Sequence, residues 1–147
     1  MWKLALLLLQ ALLFFSTISA FAQAPALDPR DIERDVEAAL RSALSMVAYN
    51  ECWRLWEGAS HQSRIGISRD ETCKHFDRAT SRPVAGGGIE DSKITSTSPT
   101  TAVISARVRV ESRRTGGTQE IPRSFTFFFE DGRWRYYLWD YISLLMY

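Results

Sequence analysis

Histidine is almost missing from this chain: His61 and His75 are its only two. Two imidazoles without a fixed acidic spacing do not make a metal site, so no metal centre is expected. Cysteine is as scarce, with only Cys52 and Cys73. Neither a G-x-S-x-G elbow nor a Cys-His-Asn set appears, so nucleophilic hydrolysis has no motif to stand on. The one glycine run, Gly86-Gly87-Gly88, lacks the GxxxxGK[ST] pattern and is followed by acidic Glu90-Asp91. It reads as a flexible connection rather than a phosphate cradle, and no cofactor is expected. A charge excess is missing too: 18 Lys+Arg stand against 17 Asp+Glu, and setting Lys3 aside leaves 17 against 17. A nucleic-acid binder needs a basic excess, so that class is excluded.

Long apolar runs are absent after residue 21. The one at the start has the form of an export signal: Lys3, then apolar residues 4–21, then the small-x-small cleavage pattern Ala20-Phe21-Ala22. Residues 1–22 are expected to be removed, leaving Gln23 first, and the protein to be periplasmic or secreted. An uncleaved anchor is the alternative, although Gln10, Ser16, Thr17 and Ser19 interrupt the run. No cysteine near the cut invites lipidation, and no membrane contact is expected after cleavage. Residues 23–147 have the size of one domain. An even cysteine count in an oxidising compartment points to one Cys52–Cys73 disulfide with twenty residues inside its loop; two buried free thiols are the alternative.

What is present is aromatic. Phe125–Tyr141 reads FTFFFEDGRWRYYLWDY, two alternating runs around Asp131-Gly132. That dipeptide is a strong signal for a two-residue β-hairpin. The turn pairs Phe129 with Trp134, Phe127 with Tyr136 and Phe125 with Leu138, and places all six side chains on one face. Upstream, Ala102–Ser112 alternates as a strand with Ala102, Ile104, Ala106, Val108 and Val110 on one side. Ile89–Thr97 and Gln119–Glu130 read as two more strands.

The first half is helical. Asp28-Pro29 has the form of an N-cap and first helical residue. Ile32, Val36, Leu40, Ala43 and Val47 make an apolar stripe that ends near Ala48. Tyr49–Trp56 reads as a short helix with Tyr49, Trp53 and Trp56 on one face. Ser68-Arg69-Asp70-Glu71 is a capping-box pattern opening a third helix with Cys73, Phe76 and Ala79 inward. The expectation is an α+β fold, three N-terminal helices packed on a curved antiparallel sheet of about four strands.

Three features, YNECWRLW after a long first helix, the capped SRDETCKHF, and the closing FTFFFEDGRW hairpin, make residues 28–141 resemble the nuclear-transport-factor-2-like superfamily, also called cystatin-like or ketosteroid-isomerase-type. The resemblance implies a sheet curled around the first helix with a conical pocket open at one end. It implies no single function, because that fold serves isomerases, dehydratases and cyclases as well as non-catalytic domains.

An isomerase-like reaction would need a desolvated acid/base carboxylate and an oxyanion donor. Asp140, which alternation places on the inner face, with Tyr136 or Tyr49 are the candidates, and Glu51 and Asp77 are further carboxylates. No stretch matches an enzyme's catalytic motif, so no catalytic residue is assigned. Trp53, Trp56, Phe76, Phe127, Trp134 and Tyr136 would line a pocket for a small apolar ligand or simply fill the core. The other hairpin face carries Phe128, Arg135, Tyr137 and Trp139, a composition suited to an interface with a second copy or another exported protein. The expected function is a non-catalytic exported binding or interaction domain; the alternative is an isomerase, dehydratase or cyclase-like enzyme.

Overall fold

The computed structural model describes residues 28–86 and 88–147. The export segment and its cleavage point therefore lie outside the described residues. Helix α1 (Pro29–Ala48) begins where the sequence places it: the Asp28 side chain accepts from Arg30 N, and Pro29 takes the first helical position. Ile32, Val36, Leu40, Ala43 and Val47 are all buried, joined by Leu44. The helix stops at Asn50, which is left-handed with φ 62°. Asn50 N donates to Val47 O and Glu51 N to Met46 O, the paired closure that satisfies the last carbonyls of a helix.

That turn resets the phase of the next helix. Helix α2 (Cys52–Gly58) buries Leu55, not the expected aromatic face. Tyr49 is 63% and Trp53 50% exposed, while Trp56 is half-buried and its Nε1 donates to Ile67 O at 2.9 Å. A further helix, α3 (His61–Arg64), is not among the three expected; Ser60 caps it. Helix α4 (Arg69–Asp77) has the full capping box: Ser68 Oγ accepts from Glu71 N and Glu71 Oε2 from Ser68 N. Those bonds hold the Glu71 carboxyl below its usual range. Cys52 and Cys73 form a disulfide that ties α2 to α4. So four helices, not three, precede the sheet among the described residues.

Among the described residues the sheet is antiparallel and has five strands: β1 (Ser81–Pro83), β2 (Ile89–Thr97), β3 (Thr101–Ser112), β4 (Thr118–Glu130) and β5 (Arg133–Tyr136). Strands β1 and β2 share one edge of β3, and the other edge runs through β4 to β5. Two register shifts in β2, between Glu90 and Lys93 and between Ile94 and Ser96, add the local twist by which such a sheet curls. Asp131 and Gly132 both have positive φ, 53° and 75°, as a type I′ turn requires. The register pairs Phe129 with Trp134 and Phe127 with Tyr136.

The expected third pair, Phe125 with Leu138, does not form. Strand β5 ends at Tyr136, Tyr137 N makes a last bond to Thr126 O, and the chain enters helix α5 (Leu138–Ile142) and a 3-10 turn (Ser143–Met146). Leu138, Tyr141, Ile142 and Leu145 are buried at helical spacing, a period the preceding alternation masks. This segment crosses to the far side of the sheet, where Thr80 N donates to Leu145 O and Ser81 Oγ to Leu144 O. Opposite, the edge of β5 is covered by a short parallel bridge, with Ser60 N donating to Tyr136 O.

The core lies between α1, the C-terminal segment and the inner face of the sheet. That face carries Ala102, Ile104, Ala106, Val108 and Val110 of β3, all buried, and Ile121, Phe125 and Phe127 of β4. The outer face is ion-paired: Arg107 with Asp91, and Arg109 with Glu90 at 2.9 Å. Among the described residues no helix is long and apolar enough to cross a membrane.

Candidate functional site

Strand β5 carries three of the expected site residues, Trp134, Arg135 and Tyr136, and the last two cap α2. Tyr136 Oη donates to Leu55 O at 2.8 Å, and Arg135 Nη1 donates to Glu57 O at 3.1 Å. These are last-turn carbonyls, which a helix cannot satisfy from within itself. Gly58 packs against the Tyr136 phenol so closely that a β-carbon there would collide with Oη. Tyr136 is thus committed to the frame rather than free to polarise a substrate, and burial pushes its hydroxyl pKa well above the usual value. Arg135, expected outward in an interface, is only 7% exposed. Its guanidinium is covered by the α2–α3 connection and lies 3.6 Å from Asp131.

Asp140 does not extend the inner strand face. It sits in α5, where its Oδ2 accepts from Thr126 N at 2.7 Å. Beyond Tyr136 the edge of β4 has no strand beside it, and the carboxylate takes the place of the missing partner. Burial raises the Asp140 carboxyl from 3.8 to about 6, opposed by the Thr126 hydrogen bond and by Arg123. Folding therefore takes up a proton between these values. The penalty for the buried charge is present above about pH 6 and disappears as pH falls toward 3.8. Asp140→Asn keeps the acceptor and removes the charge. Wild type is expected to gain melting temperature relative to Asp140→Asn between about pH 7 and about pH 5, and parallel curves would show that the carboxylate is solvated.

Tyr141 is fully buried against Phe125, at 5.1 Å between ring centroids, and Tyr136, at 4.8 Å. Its Oη has no hydrogen-bond partner among the described residues. An unpaired buried hydroxyl costs about 1–3 kcal/mol, so Tyr141→Phe is expected to stabilise by about 1 kcal/mol. Tyr136→Phe, which strands the Leu55 carbonyl, is expected to destabilise by a similar amount. Urea titration of the two variants measures both, and a loss in Tyr141→Phe would reveal a partner for that hydroxyl.

Most of the expected pocket set is packed into the core. Phe76 and Phe127 are fully buried, Trp134 and Tyr136 nearly so, Trp56 half-buried, and Trp53 points out. Tyr141, Ile142, Leu144 and Leu145 of the C-terminal segment are all 0% exposed. Of the expected interface set, Phe128 and Tyr137 are half-buried. Trp139 is 39% exposed, stands edge-on to His75, and borders a groove of about 310 Å³ with Lys74 and Arg78. Of the remaining candidates, Tyr49 lies outside the core and Asp77 is exposed at the end of α4. Glu51 is held by Arg54 at 3.0 Å. Among the described residues no three His, Cys, Asp or Glu side chains converge as for a metal ion.

A larger cleft, about 590 Å³, lies elsewhere: between β1, the β3–β4 turn and Tyr147. No sequence motif points to it, because its residues come from three separated segments. Ser112, Arg114, Thr115, Thr118 and Gln119 form one wall, with Tyr147 across from them. Its opposite rim is tied down by Ser81, whose Oγ accepts from Tyr147 N at 3.0 Å while donating to Leu144 O. Tyr147 also hydrogen-bonds Arg123 and lies 4.9 Å beneath its guanidinium.

A long helix, then shorter helices, then an antiparallel sheet make an α+β architecture. Among solved structures the chain is similar to an NTF2-like protein with a cystatin-like fold from Novosphingobium aromaticivorans, at 12% identity and a TM-score of 0.45, over 74% of this chain and 85% of that one. At that level nothing about a ligand, partner or reaction passes from it. No family model matches the chain, and no curated protein matches it either.

Proposed function

We propose that this chain is an exported, non-catalytic binding domain that engages its ligand at the surface, in the cleft beside Arg114, rather than inside the cone. The observation that carries this reading is the packed interior: Phe125, Phe127, Tyr141, Ile142, Leu144 and Leu145 are each 0% exposed. The two groups best placed for catalysis are also engaged, Tyr136 with Leu55 O and Asp140 with Thr126 N. A binding site is generally a concavity of a few hundred cubic ångströms with a few convergent polar groups, which the 590 Å³ cleft satisfies.

Titration with 8-anilinonaphthalene-1-sulfonate tests the filled interior. The native protein is expected to give no saturable fluorescence, and micromolar saturable binding would overturn the reading. Export is tested by sequencing the protein recovered outside the cytoplasm, which is expected to begin at Gln23. The enzyme alternative draws on one observation, an Asp140 carboxyl raised to about 6, within the range of a general base. Proton exchange from a β,γ-unsaturated ketone, abolished by Asp140→Asn, would favour it. A homodimer through Trp139 is a further part of the proposal: light scattering is expected to show a dimer that Trp139→Ala weakens.

A further inference from the structure

The cleft beside Arg114 brings an arginine together with several hydroxyls. Some arginines of the protein are answered by acids, Arg41 by Glu37, Arg54 by Glu51, Arg107 by Asp91 and Arg109 by Glu90, while others, such as Arg64 and Arg123, bond neutral groups instead. Arg82 and Arg113, near the cleft, are of the second kind. Arg114 lines the cleft; Arg82 on β1 and Arg113 in the turn after β3 do not, but they are next in sequence to the lining residues Ser81 and Ser112. None of the three has a carboxylate partner among the described residues. Glu111 lies across from Arg82 in the β1–β3 pairing, yet makes no ion pair with it. Arg82 donates instead to Asn50 Oδ1 at 2.9 Å, and its Nε is buried without a partner. Arg113 donates to Ala79 O at 3.3 Å. Burial lowers the Arg82 pKa first and the charge of Arg113 adds to it, so the two guanidiniums repel each other uncompensated.

The uncharged groups of the cleft point the same way. Among the described residues no aspartate or glutamate lines it. Ser112 Oγ accepts from Thr115 N, and Thr115 Oγ1 accepts from Gly117 N, which leaves both hydroxyl protons to be given outward. Thr118 and Gln119 add two more donors on the same wall. A cavity with one guanidinium, several hydroxyl and amide donors and no Asp or Glu side chain complements a ligand that is anionic and rich in acceptors. Its volume, about 590 Å³, takes a molecule of sugar size.

We infer that this cleft binds an oxyanion-bearing, polyhydroxylated small molecule, an acidic or phosphorylated sugar, with Arg114 taking the oxyanion and Ser112, Thr115, Thr118 and Gln119 its hydroxyls. The inference rests on the surface-cleft reading under Proposed function. A guanidinium is the side chain that matches carboxylate or phosphate with two parallel hydrogen bonds. The neighbouring Arg82 and Arg113 supply the positive field that draws such a ligand in.

Calorimetric titration at constant ionic strength tests it, using glucose 6-phosphate and galacturonate, with glucose and inorganic phosphate as controls. At least one acidic sugar is expected to bind saturably, and glucose about tenfold or more weaker. The exposed turn position of Arg114 lets Arg114→Gln fold normally, and that variant is expected to lose about tenfold or more in affinity. Gln119→Leu is expected to weaken the acidic sugar without changing the phosphate control. Which acidic sugar binds distinguishes a carboxylate source from a phosphate source. Saturable heat from neither, equal binding to Arg114→Gln, or inorganic phosphate binding as tightly as glucose 6-phosphate would each overturn the inference. If the acidic sugars fail while the anilinonaphthalene dye still finds no interior site, the cleft chemistry is wrong and the packed interior stands.

Discussion

Phe125→Ala is expected to lower the stability of this protein by about 3–5 kcal/mol, a large part of the roughly 5–15 kcal/mol that holds a typical domain folded. Phe125 is fully buried at the centre of the inner sheet face. Ile104 sits beside it across the β3–β4 pair, and Tyr141 packs on it at 5.1 Å. Truncation removes the ring's transfer free energy and leaves a void that neighbours on three elements cannot close together. Urea unfolding measures the loss. Ile65→Ala, at a residue 80% exposed, serves as control and is expected to change stability by no more than about 0.5 kcal/mol. A loss below about 1 kcal/mol at Phe125 would mean that the C-terminal segment does not cover this face, and the packed interior would fall with it.

Removing the disulfide is expected to cost about 3 kcal/mol, the chain entropy returned to an unfolded loop of this length. Cys52 and Cys73 stand 21 apart in sequence and join α2 to α4. Both helices are short, seven and nine residues, and neither would persist alone in water. The effect should therefore be local as well as global. In the Cys52→Ser, Cys73→Ser double variant, amide exchange is expected to quicken first in α4 and in the Ile67 contact with Trp56. Thermal unfolding with and without reductant supplies the global number. An unchanged melting temperature in reductant would show that the helical packing alone suffices.

The two variants probe different kinds of anchor. The α4 helix is held by a covalent bond and a capping box, both visible as residue patterns. The C-terminal segment is held by burial, which no short pattern reveals. Residues 138–142 illustrate the difference. Read outward from the hairpin, Trp134, Tyr136, Leu138 and Asp140 alternate as one strand face. In the fold, Leu138, Tyr141 and Ile142 are buried at helical spacing and Asp140 completes the edge of β4. A strand and a short amphipathic helix fit the same five residues, and the choice falls to what lies beside them. The same holds after α1. A left-handed Asn50 rotates the next helix, so Leu55 goes in and Trp53 goes out, against a pattern that treats Tyr49, Trp53 and Trp56 as one stripe.

Local chemistry was legible wherever a residue's role depends on its near neighbours. The Asp28-Pro29 start, the Ser68–Glu71 capping box, the Asp131-Gly132 turn, the α1 stripe and the alternation of β3 arise from short-range sterics and hydrogen bonding, and they lie where the sequence indicates. The pairing of Cys52 with Cys73 comes from there being only two. Whatever depends on groups far apart in the chain was settled by tertiary structure alone. Tyr136 and Arg135 became caps for α2 because β5 runs beneath the end of that helix. Arg114 came to share a cleft with several hydroxyls because a turn, an edge strand and Tyr147 meet at one end of the sheet. Periodicity reports which side of an element is apolar. It carries no information about what the rest of the chain lays against that side, and that decided which of these polar residues serve the frame and which remain free to bind.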